Sequence, residues 1–135
     1  VLFQDYNEEV TVVLLKKLLE SEMDESKFRI FYGAWEDLLS SIVGIKFDVI
    51  VASEILYNAD NYSVIIEIIR KHLYNDGCAY VASKNMYFGL SGDIFTFSAL
   101  ASENGLGYEI YNVESENIPR SIIKLYLLGS YRHGL

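Results

Sequence analysis

The run Val49-Ile50-Val51-Ala52, broken sharply by Ser53-Glu54, constrains the fold of this chain more than any other stretch. A short apolar run with polar flanks reads as a strand buried on both faces. Such a strand needs other elements above and below it, and the rest of the sequence supplies them. The spacing predicts helices over residues 8–20, 35–42, 61–74 and 93–103. Strand-like runs fall at residues 1–4, 28–32, 47–52 and 78–83. Strands alternating with helices predict a parallel, doubly wound α/β sheet. Two further strands, residues 108–113 and 121–128, have no helix between them. They predict an antiparallel pair added at the sheet edge, with Pro119 in the connection.

The helix signals differ in kind. Over residues 8–20, Val10, Val13, Leu14 and Leu18 form a stripe, with Glu8 and Glu9 favourably placed in the first turn. Over residues 61–74, Ile65, Ile68, Ile69 and Leu73 form another. Asp60 or Asn61 is its expected cap, and Asn75-Asp76-Gly77 its stop. Asn104-Gly105 stops the helix over residues 93–103.

Composition narrows the function classes. The chain has 135 residues, 51% of them hydrophobic, enough for one domain with a sizeable core. A formal charge of −8 disfavours direct nucleic-acid binding, which depends on clustered Lys and Arg. It suits a basic protein partner or a cationic small molecule. Cys78 is the only cysteine, which excludes an intrachain disulfide and a cysteine metal cage. No apolar run reaches membrane-spanning length, so an intracellular setting is the default expectation.

In an open α/β sheet, ligands sit beyond the carboxyl ends of the strands. Asp5 ends the first strand and either accepts hydrogen bonds from ribose hydroxyls or, like Asn7, caps the next helix. Trp35 follows Gly33 at another strand end. Its indole can stack on a flat base, or pack under the short helix as most tryptophans do. Glu54 and Tyr57 follow the central strand, where a carboxylate can orient an acceptor nitrogen and a phenol can bond beside it. The plainer alternative is that Glu54 caps a turn while Tyr57 packs. A half-buried Glu without a partner is costly, which favours a functional role. Lys84 lies at the same edge, and a solvated lysine is its plainer reading. The loop Tyr87-Phe88-Gly89-Leu90-Ser91-Gly92 could line an acceptor pocket. Gly105-Leu106-Gly107 follows a helix and opens a strand, the reverse of a phosphate loop.

Taken in order, Phe3-Gln4-Asp5-Tyr6-Asn7, Gly33-Ala34-Trp35, Ser53-Glu54-Ile55-Leu56-Tyr57-Asn58, Ala82-Ser83-Lys84 and Tyr87-Phe88-Gly89 resemble the eukaryotic protein-histidine methyltransferases. These belong to the class I, seven-strand, S-adenosylmethionine-dependent superfamily. The resemblance covers nearly the whole chain. Each motif alone is weak, but the ordered set is specific. It implies S-adenosyl-L-methionine as cofactor and a protein histidine as acceptor, on a basic ribosomal protein in the known member. It also implies cytoplasmic or nuclear location and no role for a membrane. By motif, Gln4, Asp5 and Tyr6 match the ribose side of the cofactor site. Gly33, Ala34 and Trp35 match its adenine side, with Ala34 replacing a larger residue. Ser53 matches a further cofactor contact. Glu54 and Tyr57 match an acidic-x-x-aromatic signature beside the acceptor, which makes Glu54 the expected catalytic carboxylate and Tyr57 its partner.

The family's first strand, glycine-rich loop and following helix have no counterpart here. Residues 1–135 therefore read as the C-terminal part of a single methyltransferase domain, with an incomplete sheet and a weakened hold on cofactor. Three alternatives stand beside this reading. They are a catalytically inactive methyltransferase-like binding module, a lysine methyltransferase of the same superfamily, and a dinucleotide oxidoreductase.

Overall fold

The computed structural model describes residues 1–114 and 117–129. The chain divides into two compact units, Val1–Val43 and Gly44–Leu135. Their strands form two separate hydrogen-bonded sheets, of two and four strands.

The first unit is a single βαβ crossover followed by a short helix. Strand β1 (Leu2–Asp5) pairs in parallel with β2 (Arg29–Tyr32), in register from Leu2↔Arg29 to Asp5↔Tyr32. Parallel neighbours require a crossover connection. Here it is helix α1, a π-helical segment Glu9–Leu15 continuing as an α-helical segment Lys16–Glu22. Asn7 Oδ1 accepts from Glu9 N at 2.9 Å and closes the helix start, so the cap is Asn7 and not Asp5. The expected stripe of Val10, Val13, Leu14 and Leu18 is not the buried face. All four are exposed, and Thr11 and Leu19 are buried instead. The cause is the widened turn: Lys16 N bonds the Thr11 carbonyl five residues back, which breaks the 3.6-residue register behind the stripe. Helix α2 (Trp35–Ser41) buries Leu38, and Ile42 at its end is also buried.

The second unit contains the larger core. Its sheet runs in the order β3-β4-β6-β5. Strand β3 (Phe47–Ser53) is parallel to β4 (Leu73–Lys84). Strand β6 (Arg120–Leu127) lies antiparallel between β4 and β5 (Leu106–Val113). Helix α3 (Tyr62–His72) buries Ile65, Ile66, Ile68 and Ile69, and α4 (Ile94–Glu103) buries Ile94, Phe97 and Ala101. Tyr62 meets Phe97 edge-on at 5.2 Å between ring centres, joining the two helices. Each fully buried Ile, Leu or Phe contributes roughly 1.5–3 kcal/mol, so this cluster dominates the stability of the unit.

Three expectations about this unit need correction. Strand β3 is not buried on both faces: Val49 is 56% and Val51 76% exposed. Val49 and Val51 share one face of β3, which is left uncovered, and among the described residues β3 is an edge strand paired with β4. Helix α3 does not run to Tyr74. It stops at His72, and the fully buried Leu73 already begins β4. Gly77 therefore stops no helix; it lies inside β4, where a Cβ would come within 2.7 Å of the Asp48 carbonyl. Asn61 stands at the N-cap position of α3, but its side chain makes no cap bond. Asn58 Oδ1 accepts from Asp60 N at 3.0 Å, starting the 3-10 turn Ala59–Asn61 that leads into the helix.

Candidate active site

Strand β3 delivers Glu54 at its carboxyl end, and the backbone there is unusual. Glu54 has φ +56°, and it is the only non-glycine residue with positive φ among the described residues. A left-handed conformation costs a residue with a Cβ about 1–3 kcal/mol. The Glu54 amide still bonds the Ala82 carbonyl at 2.9 Å, so the strand pairing persists while the side chain is turned aside.

Both carboxylate oxygens are engaged. Tyr87 Oη donates to Oε2 at 2.6 Å, and Arg120 Nη1 donates to Oε1 at 2.7 Å. Tyr87 is itself fixed. Its hydroxyl lies 3.1 Å from Ser83 Oγ, which in turn donates to the Lys84 carbonyl at 2.9 Å. Lys84 is not simply solvated, as expected, but holds its Nζ 5.5 Å from the centre of the Tyr87 ring. Burial, and next the hydrogen bond to Glu54, push the Tyr87 phenol above its ordinary value. It therefore stays a proton donor to Glu54 throughout the neutral range.

The phenol bonded to Glu54 is that of Tyr87, and Tyr57 packs against it. Tyr57 sits edge-on to Tyr87 at 6.5 Å and is half exposed. The loop carrying Tyr87 is clamped to the turn after β3. Ala59 N donates to Ser91 Oγ at 3.0 Å, and a Cβ on Gly92 would collide with the Leu56 carbonyl and the Tyr57 backbone. Beneath it, the buried Tyr62 hydroxyl accepts from Asp93 N at 2.8 Å and has the Leu56 and Asp93 carbonyls within donating reach.

The open ion pair alone does not account for this arrangement. Glu54 and Arg120 side chains are 39% and 43% exposed, and an ion pair that open contributes about 0.2–1 kcal/mol. Alone it does not offset the backbone cost at Glu54; the charge-assisted bond from Tyr87, about 1.5–3 kcal/mol, is needed as well. A strained carboxylate held by two donors at a strand's carboxyl end has the form of a preorganised functional group.

In the first unit, Asp5 and Gly33 meet at the carboxyl edge of β1 and β2. Gly33 N donates to the Asp5 carbonyl at 3.3 Å, and Gln4 Nε2 donates to the Gly33 carbonyl at 3.2 Å. Gly33 has φ +135°, which favours glycine there. Asp5 Oδ1 accepts from Asn7 N at 2.8 Å, leaving Oδ2 directed to no partner among the described residues. Trp35 opens α2 half-buried, behind Ala34. Tyr6 is exposed, and Ser53 ends β3 exposed in the second unit. Among the described residues no group of His, Cys, Asp and Glu could hold a metal ion, and no helix is long and apolar enough to cross a membrane.

No sequence signal marks Arg120, and Tyr87 falls in a candidate acceptor-pocket loop with nothing pointing to its bond with Glu54. The register Lys84↔Arg120 between β4 and β6 is what brings the guanidinium to the edge. No local pattern encodes that pairing.

This chain has the fold of a class I methyltransferase. It aligns over 94% of its length with a TehB-like SAM-dependent methyltransferase from Corynebacterium glutamicum (TM-score 0.67, 18% identity, 67% of that chain). It aligns over 96% with the chain of a DhpI–SAH complex (TM-score 0.69, 9% identity, 66% of that chain). By sequence it is a homologue of the proteins named histidine protein methyltransferase 1. It is 37% identical over 101 residues to the homolog from Dictyostelium discoideum, which covers 74% of this chain and 33% of that protein. To the homolog from Rattus norvegicus it is 31% identical over 112 residues, 78% of this chain and 31% of that protein. The chain thus spans about a third of the length of these relatives. No family model matches it.

Proposed function

We propose that the protein containing this chain transfers a methyl group from S-adenosylmethionine to a histidine side chain of a protein, with a basic ribosomal protein as the substrate. The observation that carries this reading is the match to histidine protein methyltransferase 1 homologs over three quarters of the chain, at 37% identity to one of them. The acidic charge of the chain, −8, suits both a basic protein and a cationic cofactor.

The residues of the first unit fit the nucleoside end of such a cofactor. Asp5 offers ribose hydroxyls a carboxylate oxygen that has no partner among the described residues, beside the Gln4 and Tyr6 positions. The backbone at Gly33 and Ala34 and the half-buried Trp35 offer a flat, partly apolar surface to a base. Ser53 offers a hydroxyl at the end of β3. When bound, the cofactor supplies an electrophilic methyl on a sulfonium. The chain's own work is then to hold the acceptor imidazole. Glu54 accepts the N–H of the ring and leaves the other nitrogen's lone pair free to attack, and Tyr57 flanks the ring. Catalysis of this kind is positioning, with no covalent enzyme intermediate.

The test is direct. The full-length protein is incubated with isotopically labelled S-adenosylmethionine and total ribosomal protein, and acid hydrolysates are resolved by mass spectrometry. Labelled methylhistidine is expected. Labelled methyl-lysine would replace the acceptor in this reading. Cofactor binding without any transfer would replace the enzyme by a binding module.

A further inference from the structure

We propose that Tyr87 and Arg120 are positioning residues that determine which of the two imidazole nitrogens is methylated; this rests on the histidine acceptor proposed above. A neutral imidazole has one N–H and one lone-pair nitrogen, and only the second attacks. The nitrogen whose proton Glu54 accepts is therefore the one left unmethylated. A carboxylate free to rotate presents either nitrogen. The Glu54 carboxylate is not free: Tyr87 holds Oε2 at 2.6 Å and Arg120 holds Oε1 at 2.7 Å. One acceptor direction remains on each oxygen, and the plane of the carboxylate is set by donors from two other segments. Tyr87 is in turn locked by Ser83 and by the clamp of Gly92 on the Leu56–Tyr57 backbone.

The bookkeeping of the step is complete with the groups named. The free lone pair forms the N–C bond, and the S–C bond breaks with its electron pair left on sulfur. The positive charge passes to the imidazolium. Its N–H proton leaves along the hydrogen bond to Glu54 and on to water, giving neutral methylhistidine. Tyr87 and Arg120 exchange no proton with the substrate and act only through Glu54.

Tyr87→Phe and Arg120→Gln in the full-length protein test this. Tyr87→Phe keeps the ring that packs on Tyr57 and removes only the donor. Arg120 is an exposed side chain, so Arg120→Gln is the variant that keeps the test alive should Tyr87→Phe fold poorly. The readouts are the ratio of the two methylhistidine isomers from total ribosomal protein, kcat and KM, and the cofactor Kd by calorimetry. Wild type is expected to give one isomer. Each variant is expected to give both, with kcat lowered on the order of tenfold or more and cofactor Kd unchanged. A single isomer at wild-type kcat from both variants would overturn the proposal. So would an equal loss of cofactor affinity, which would make the effect a general disturbance of the fold. Absence of methylhistidine from wild type would overturn the histidine-methylation reading itself, and this proposal with it.

Discussion

Glu54 holds a left-handed backbone that glycine would adopt without strain. Replacing it with glycine removes the strain of about 1–3 kcal/mol, but adds about 0.4–1 kcal/mol of freedom to the unfolded chain and forfeits the bonds to Tyr87 and Arg120, effects of opposite sign that largely cancel. We expect Glu54→Gly to shift the denaturation free energy by less than about 1 kcal/mol while methyl transfer is lost. Urea unfolding beside the methylation assay checks both halves, and a large loss of stability would mean that the carboxylate is structural. The tyrosines give a pH dependence. Burial is the main cause raising the phenols of both Tyr62 and Tyr87 above their ordinary value of 10.0. A group with a raised folded-state value adds stability below its unfolded value and loses it as pH rises through the folded one. Stability should therefore fall in the alkaline range above pH 10.0, and less steeply in Tyr87→Phe than in wild type. Thermal melts across that range test the sign. At this scale Glu54 was legible because a carboxylate after a buried-looking strand is hard to explain otherwise. Arg120 was not, because its partner is 66 residues away.

At the scale of elements, the legible helix is the one that keeps an uninterrupted period. The Ile65, Ile68 and Ile69 stripe predicted α3 and its buried face. In α1 the same kind of stripe misled, because the i→i+5 bond to Thr11 rotates the face and no periodicity announces such a turn. The helix-to-strand junction at Leu73 was equally hidden. Asn75-Asp76-Gly77 reads as a stop locally, whereas it forms the irregular stretch of β4 between the Phe47↔Leu73 and Val49↔Cys78 pairs. Two elements carry sharp expectations. Asp93 caps α4 through Oδ1 to Thr96 N and Oδ2 to Thr96 Oγ1, both at 2.7 Å. Asp93→Ala should cost about 0.5–2 kcal/mol in chemical denaturation. Gly92→Ala should cost about 1–3 kcal/mol, because a Cβ meets backbone and not a flexible side chain. It should also lower methyl transfer by displacing the loop that carries Tyr87.

For the whole molecule, the α/β class followed from the alternation of elements, and the antiparallel β5–β6 pair from two strands with no helix between them. The division into two hydrogen-bonded sheets was expected only through the resemblance. Its physical signature is β3, an edge strand exposing Val49 and Val51. Flat apolar edges invite pairing with other chains. The 135-residue chain alone should self-associate, and Val51→Lys should reduce the associated fraction. Light scattering against concentration tests this, and a monodisperse wild-type monomer would contradict it.

The hydrogen bonds to Glu54 span 33 residues to Tyr87 and 66 to Arg120. Arg120 reaches the edge only after β6 has slotted between β4 and β5. Contacts of such long sequence separation close late, since the loop entropy must be met before they form. The aim of the Glu54 carboxylate is therefore expected to be set late in folding. A chain still emerging from its synthesis, or trimmed before residue 120, carries Glu54 with its backbone turn unsupported and its carboxylate unaimed. The aim of the Glu54 carboxylate thus depends on the completed sheet.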